Sequence, residues 1–132
     1  MTREAVQTAS APGAIGPYSQ AIASGDLVFC SGQIGLDPAS GELADGLEAQ
    51  AERALRNIAG VLDAAGCTWS DVVKTTLFLA DIGDFAAVNE IYARHMPDPP
   101  PARSTFAVGA LPRGARIEIE AIAARPAGRS PV

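Results

Sequence analysis

One lysine, one histidine and two cysteines are all that the 132 residues supply of three side chains on which much enzyme chemistry depends. The lysine is Lys74, set between Val73 and Thr75 in a run that reads as strand, so a solvated or structural role is simpler than a Schiff base. His95 stands alone near the end of an expected helix, where capping or packing is commoner than ligation. Cys30 and Cys67 are far apart and carry no metal-type spacing, which argues against a disulfide framework or zinc ribbon and for reduced, buried thiols. Aromatics are scarce too: four Phe, two Tyr and one Trp. With 10 basic against 15 acidic residues and a net charge of -5, neither a phosphate-tracking groove nor a base-stacking platform is evident. The chain has no GxxxxGK[ST] loop, no GxGxxG after a strand, no GxSxG elbow, no HExxH and no CxxC, so motifs give no support to a metal or an organic cofactor. No apolar stretch approaches the roughly 20 residues of a membrane span. The opening Met1-Thr2-Arg3-Glu4 lacks the pattern of a secretory signal, and the expected location is cytoplasmic.

What is present fits one domain, residues 1–132, with its core at about 5–125 and a disordered tail expected from Pro126 to Val132. Apolar residues make up 48%, but 26 of them are alanine, and the charged share of 19% lies below the usual quarter of a globular chain. A surface so thinly charged implies that part of it is covered by another copy, so a homo-oligomer is expected. Leu47, Ala51, Ala54, Leu55, Ile58, Val61, Leu62 and Ala65 fall at helical spacing. Asp45 with Glu48 reads as the N-cap pair of that helix and Gly66 as its stop. A second helix opens near Asp81 to Asp84, carries Phe85, Val88, Ile91 and Tyr92 on one side with His95 as a further candidate for that face, and must end before Pro97, Pro99, Pro100 and Pro101. Strands are expected at Leu27–Ser31, Asp71–Ala80, Ser104–Val108 and Arg116–Ala123. In the last, Ile117, Ile119 and Ala121 face one way and Arg116, Glu118 and Glu120 the other. In Asp71–Ala80, simple alternation puts Val73, Thr75, Leu77 and Leu79 on one side and Val72, Lys74, Thr76 and Phe78 on the other. The fold class is α+β, a sheet with two helices on one face and a neighbouring subunit over the second.

Several residues could carry chemistry. Arg103 follows three consecutive prolines and an alanine and enters a strand, so its guanidinium could grip a carboxylate in two parallel hydrogen bonds at low ordering cost. Glu118, on the polar side of its strand, could handle protons. Read alone, each is more simply a surface residue. Gly16-Pro17-Tyr18 reads as a tight loop presenting a ring, and Ser31-Gly32-Gln33 as a strand end that exposes backbone or merely stops the strand.

Taken in order, Gly16-Pro17-Tyr18-Ser19-Gln20, Ser31-Gly32-Gln33-Ile34, Asp71-Val72-Val73-Lys74-Thr75-Thr76, Phe85 to Tyr92 with Val88-Asn89, Pro101-Ala102-Arg103-Ser104 and Ile117-Glu118-Ile119-Glu120-Ala121-Ile122-Ala123 resemble the RidA (YjgF) family over about residues 5–125. The resemblance implies a chorismate-mutase-like α+β fold, a homotrimer with a central barrel, and clefts between subunits. It implies a hydrolytic deaminase that converts reactive 2-imino acids and enamines, such as 2-iminopropanoate and 2-iminobutanoate, to 2-keto acids and ammonia, with no metal or organic cofactor. Residue by residue, Arg103 would hold the substrate carboxylate and Glu118 would position or activate water. Tyr18 and Asn89 would line the cleft, and Gly32 and the Thr105 backbone would contact the substrate. Thr105 stands where the family usually has cysteine, which places substrate preference rather than activity in question, because imine hydrolysis needs no covalent intermediate. The alternative is a non-catalytic trimer that binds small metabolites or acts like a chaperone, and RNA cleavage is the least favoured reading.

Overall fold

The computed structural model describes residues 2–126 of the chain. The expectation of a disordered tail therefore lies, beyond Pro126, outside the described residues. Strands β1 (Arg3–Val6), β2 (Ala21–Ser24), β3 (Leu27–Gln33), β4 (Val72–Leu79), β5 (Ala102–Ala107) and β6 (Ile117–Ala124) form one sheet in the spatial order β1-β2-β3-β6-β4-β5. Every pairing is antiparallel except β4 with β5. A parallel pair needs a crossover, and helix α2 (Phe85–Ala93) supplies it. Helix α1 (Leu47–Ala64) joins β3 to β4 and packs beside α2 against the same face of the sheet. This is the expected α+β architecture, a mixed sheet on two helices.

Strands β1 and β2 were not among the expected elements. Both are four residues long, too short for alternation to register; β1 opens on charged Arg3 and Glu4, and β2 is rich in small side chains. The available signal was Gly25-Asp26, the two-residue loop that pairs Ser24 with Leu27 and fixes the β2–β3 hairpin.

Helix α1 buries Ala51, Ala54, Leu55, Ile58, Val61 and Leu62, the stripe its periodicity predicts. The start differs from expectation. Gly46, at φ 89°, occupies the N-cap with no side-chain bond, so Asp45 with Glu48 does not form the cap pair. A positive φ there favours glycine over any capping aspartate. The stop is as expected: the Gly66 amide donates to the Asp63 carbonyl at 3.0 Å and the Cys67 amide to Leu62 at 2.8 Å, a Schellman closure.

Two bulges set which side chains face the helices. On β4 the register against β6 shifts between Val72 and Lys74. Val72 is therefore buried together with Thr75, Leu77 and Leu79, while Val73 is 49% exposed, the reverse of simple alternation for that pair. On β3 the register shifts between Cys30 and Gln33, which places Gly32 inside the strand rather than at its end.

The face away from the helices is uncovered and apolar in part. Leu27, Phe29 and Phe106 lie there well exposed, and Phe106 meets Phe78 edge-on at 5.3 Å. Lys74 donates from Nζ to Ser104 Oγ at 2.8 Å across the same face, a structural role. Both cysteines are buried thiols on the core side. Burial pushes Cys30 up to about 12, and the nearby Cys67 adds to the shift. No helix among the described residues is long and apolar enough to cross a membrane.

Candidate active site

The loop before β2 presents Tyr18. Gly16, at φ 115°, and Pro17 make a turn in which the Tyr18 amide donates to the Gly16 carbonyl at 2.9 Å, and the Tyr18 side chain stands half exposed. Buried Gln20 ties this loop down: its Oε1 accepts from the Thr8 amide at 2.7 Å, and its Nε2 donates to the carbonyls of Thr8, Ala11 and Pro12. Ser31 Oγ donates to the Ser19 carbonyl at 2.6 Å, which locks the loop onto β3. Where β3 bulges, Gly32 lies directly under the Glu118 side chain. A Cβ at residue 32 would collide with Glu118 Oε2 and stand 2.9 Å from Cδ, so glycine is required for the carboxylate to lie there. Tyr18, Ser31, Gly32, Ile34, Arg113 and Glu118 are among the residues that border a depression of about 660 Å³. Partial burial raises the Glu118 carboxyl above its ordinary value, and the neighbouring Glu120 raises it further.

A second depression, of about 560 Å³, is bordered by Asn89, Tyr92 and Met96 from the α2 region and by Pro100, Pro101 and Arg103 on the approach to β5. Arg103 is the second residue of edge strand β5, as its position after the prolines implies. Its guanidinium carbon lies 5.0 Å from the centre of the Tyr92 ring and 5.6 Å from that of Phe85. Among the described residues no carboxylate forms an ion pair with it. Thr105 follows on the same face of β5. Its hydroxyl is buried with no hydrogen-bond partner among the described residues.

The structure thus gathers Tyr18, Gly32 and Glu118 in one place and Asn89 and Arg103 in another. Register explains the split. Arg103 lies opposite Thr75, which lies opposite Ala121, all directed toward the helices. Glu118 lies opposite Phe78, which lies opposite Phe106, all directed away from them. Arginine and glutamate therefore occupy opposite faces of one sheet and do not meet within one chain. His95 joins neither group; it lies in the turn just past α2, with its Nε2 2.8 Å from Oε2 of Glu52 on α1. No group of three or more metal-type side chains gathers among the described residues.

Residues 8–125 match the family model described as Endoribonuclease L-PSP, the RidA (YjgF) family. The chain belongs to this family. A human protein named 2-iminobutanoate/2-iminopropanoate deaminase is 52% identical over 124 residues, which cover 93% of this chain and 90% of the human one. The solved structure of RidA from an Antarctic Psychrobacter superposes with a TM-score of 0.90 at 45% identity, covering 92% of this chain and 98% of that one. An Escherichia coli TdcF structure with bound serine gives 0.89 at 41% identity, covering 93% and 99%.

Three features of the two depressions in this RidA-family chain are not legible in its sequence. Arg113 reaches the Glu118 depression from a turn in which it adopts φ 61°, and donates to the Gly41 carbonyl at 3.3 Å. The adjoining Gly114 was the only local hint. Ile15 also borders that depression, outside any expected element. Tyr92 was read as core from its helical spacing, and it is core, yet its ring also faces Arg103.

Proposed function

We propose that the protein is a hydrolytic deaminase of 2-imino acids and their enamine tautomers, the activity named for the human relative at 52% identity. The observation that carries the reading is the pair of incomplete half-sites: an unpaired, ring-backed Arg103 on one face and a half-buried Glu118 with a raised pKa on the other. In this reading the chain is a homotrimer. The exposed Leu27, Phe29 and Phe106 face lines its centre, and each cleft joins the Arg103 side of one copy to the Glu118 side of the next.

A three- or four-carbon anion offers few atoms to hold, so one bidentate ion pair must supply most of its affinity, and Arg103 has the free N–H edges for it. Serine in the E. coli relative is a carboxylate ligand of that size. Asn89 and Tyr18 close the cleft around the bound acid, and Gly32 keeps Glu118 close to the β3 backbone. Glu118 takes a proton from water as the oxygen adds to C2 of the N-protonated imine, giving a neutral carbinolamine. Glu118 returns that proton to the nitrogen, the C–N bond breaks as the hydroxyl oxygen forms the C=O bond, and the hydroxyl proton passes back to the Glu118 carboxylate as ammonia leaves the 2-keto acid. Such acid–base assistance supplies about 10²- to 10⁴-fold on a reaction that already proceeds in water. RNA cleavage, which the family description names, finds less support in a chain of net charge -5 whose one histidine is held against Glu52.

The test is ammonia release from 2-iminopropanoate generated in situ by an amino-acid oxidase. Arg103→Ala should lose nearly all turnover while the oligomer persists by sedimentation, and Arg103→Lys, which keeps the charge but not the fork, should recover little of it. Wild-type turnover in Arg103→Ala would sink the assignment.

A further inference from the structure

We propose that Tyr92, with Phe85 beside it, is a positioning residue for the reaction: the two rings hold the Arg103 guanidinium in the plane that receives a substrate carboxylate. The inference rests on Arg103 as the carboxylate grip. An arginine on an edge strand is mobile unless something orients it, and the usual device is a carboxylate. An internal carboxylate would fix Arg103 but also neutralise it and compete with the substrate for the same N–H donors. An aromatic face avoids both effects, because it attracts the cation through the ring while the N–H edges, which lie in the guanidinium plane, stay unpaired.

The geometry meets that requirement from three elements. Tyr92 comes from α2 and lies with its ring centre 5.0 Å from the guanidinium carbon, while Phe85, two helix turns earlier on the same side, lies at 5.6 Å. Arg103 comes from β5 and enters on Pro100 and Pro101, which border the same depression. Thr75, from β4 and wholly buried, anchors the ring by a 2.7 Å hydrogen bond between its Oγ1 and the Tyr92 hydroxyl. Tyr92 itself is buried, so the ring cannot swing out. Burial raises the Tyr92 phenol above its ordinary value, against opposing effects of Thr75 and Arg103. The arrangement differs from a packing tyrosine in two respects: its hydroxyl is spent on a threonine deep in the sheet, and its face is turned to the cation.

The experiment compares Tyr92→Leu, Tyr92→Phe, Phe85→Leu and Thr75→Val in the intact oligomer. KM and kcat for 2-iminobutanoate made in situ are read alongside the Kd of 2-oxobutanoate by calorimetry. Loss of a partly desolvated cation–π contact corresponds to about 3- to 30-fold in binding. Tyr92→Leu and Phe85→Leu are expected to raise KM and the 2-oxobutanoate Kd by that factor, with kcat within about threefold. Tyr92→Phe and Thr75→Val both keep the ring but break the same hydroxyl anchor, so both should fall between wild type and Tyr92→Leu. Folded Tyr92→Leu and Phe85→Leu proteins with wild-type KM and Kd overturn the inference, as does Tyr92→Phe matching Tyr92→Leu. Phe85 is partly exposed, so Phe85→Leu decides the matter even if Tyr92→Leu fails to fold. If Arg103→Ala binds 2-oxobutanoate like wild type, the carboxylate grip falls and this inference with it. If Arg103→Ala loses binding and the ring variants do not, this inference alone falls.

Discussion

At the scale of single residues, the proposed chemistry turns on Glu118, whose environment shifts its carboxyl, and on Arg103, which stands against two rings. Glu118 is half-buried beside Glu120, and both effects raise its pKa above the ordinary value of 4.5. As the proposed base it would work only when ionised, so kcat should fall on acidification at a pH above the range of a solvated glutamate. A pH–rate profile reads this directly, and an acid limb at or below 4.5 contradicts it. The stability consequence has the opposite sense. Between its unfolded and folded pKa values the folded chain binds more proton, so stability falls as pH rises through that window, and ionised Glu118 costs stability at neutral pH. Glu118→Gln should therefore lower kcat about 10²- to 10⁴-fold, remove the acid limb, and leave the folded state at least as stable at pH 7. Denaturant midpoints at pH 5 and 7 check the second half. Gly32 and Arg103 were legible as candidates from their neighbours in sequence, but the reason for Gly32 was not. Its lack of Cβ matters because of Glu118, 86 positions later in the chain, and no local pattern reports such an approach.

At the scale of elements, the helix stripes were readable because a 3.6-residue period survives any context. The polar residues inside those stripes were not. Asn57, on the buried side of α1, is wholly enclosed and donates from Nδ2 to the carbonyls of Ile34 and Leu36 at 3.1 and 2.9 Å, and its Oδ1 accepts from Arg53 Nε. It pins the segment after β3 that carries Ile34 into the Glu118 depression. Gln50, two turns earlier on the same face, accepts from the Arg116 amide at 2.8 Å and fixes the start of β6 in the same manner. Asn57→Ala leaves two carbonyls without their donor and should cost about 2–3 kcal/mol. Urea unfolding at constant protein concentration measures it, and a midpoint within error of wild type rejects the pinning role. The β4 bulge belongs to this scale too. One extra residue between Val72 and Lys74 reversed Val72 and Val73 relative to strict alternation, and a bulge is set by the partner strand β6.

For the whole molecule, the sheet topology separates Arg103 and Glu118 onto opposite faces, so under the proposed function a lone chain would hold two halves of a site. Assembly and activity should therefore be lost together. Phe106 is 45% exposed on the uncovered face against Phe78. A carboxylate there would be buried without a partner wherever copies meet, which costs several kcal/mol per ion. Phe106→Glu is expected to sediment as a folded monomer that retains the far-ultraviolet circular dichroism of the sheet and helices but releases no ammonia from imines. A monomeric variant with full turnover would show that one chain suffices.

By itself the sequence determined the α+β class, both helices, four of the six strands and the run of residues that marks the RidA family. These depend on local periodicity and on short contiguous motifs, which a linear chain displays. Tertiary structure alone decided which face each site residue occupies, why residue 32 has no side chain, and what stands behind Arg103. Those outcomes depend on strand register, on bulges imposed by a partner strand and on rings brought in by a crossover helix, all of which are relations between distant segments that exist only once the sheet has formed.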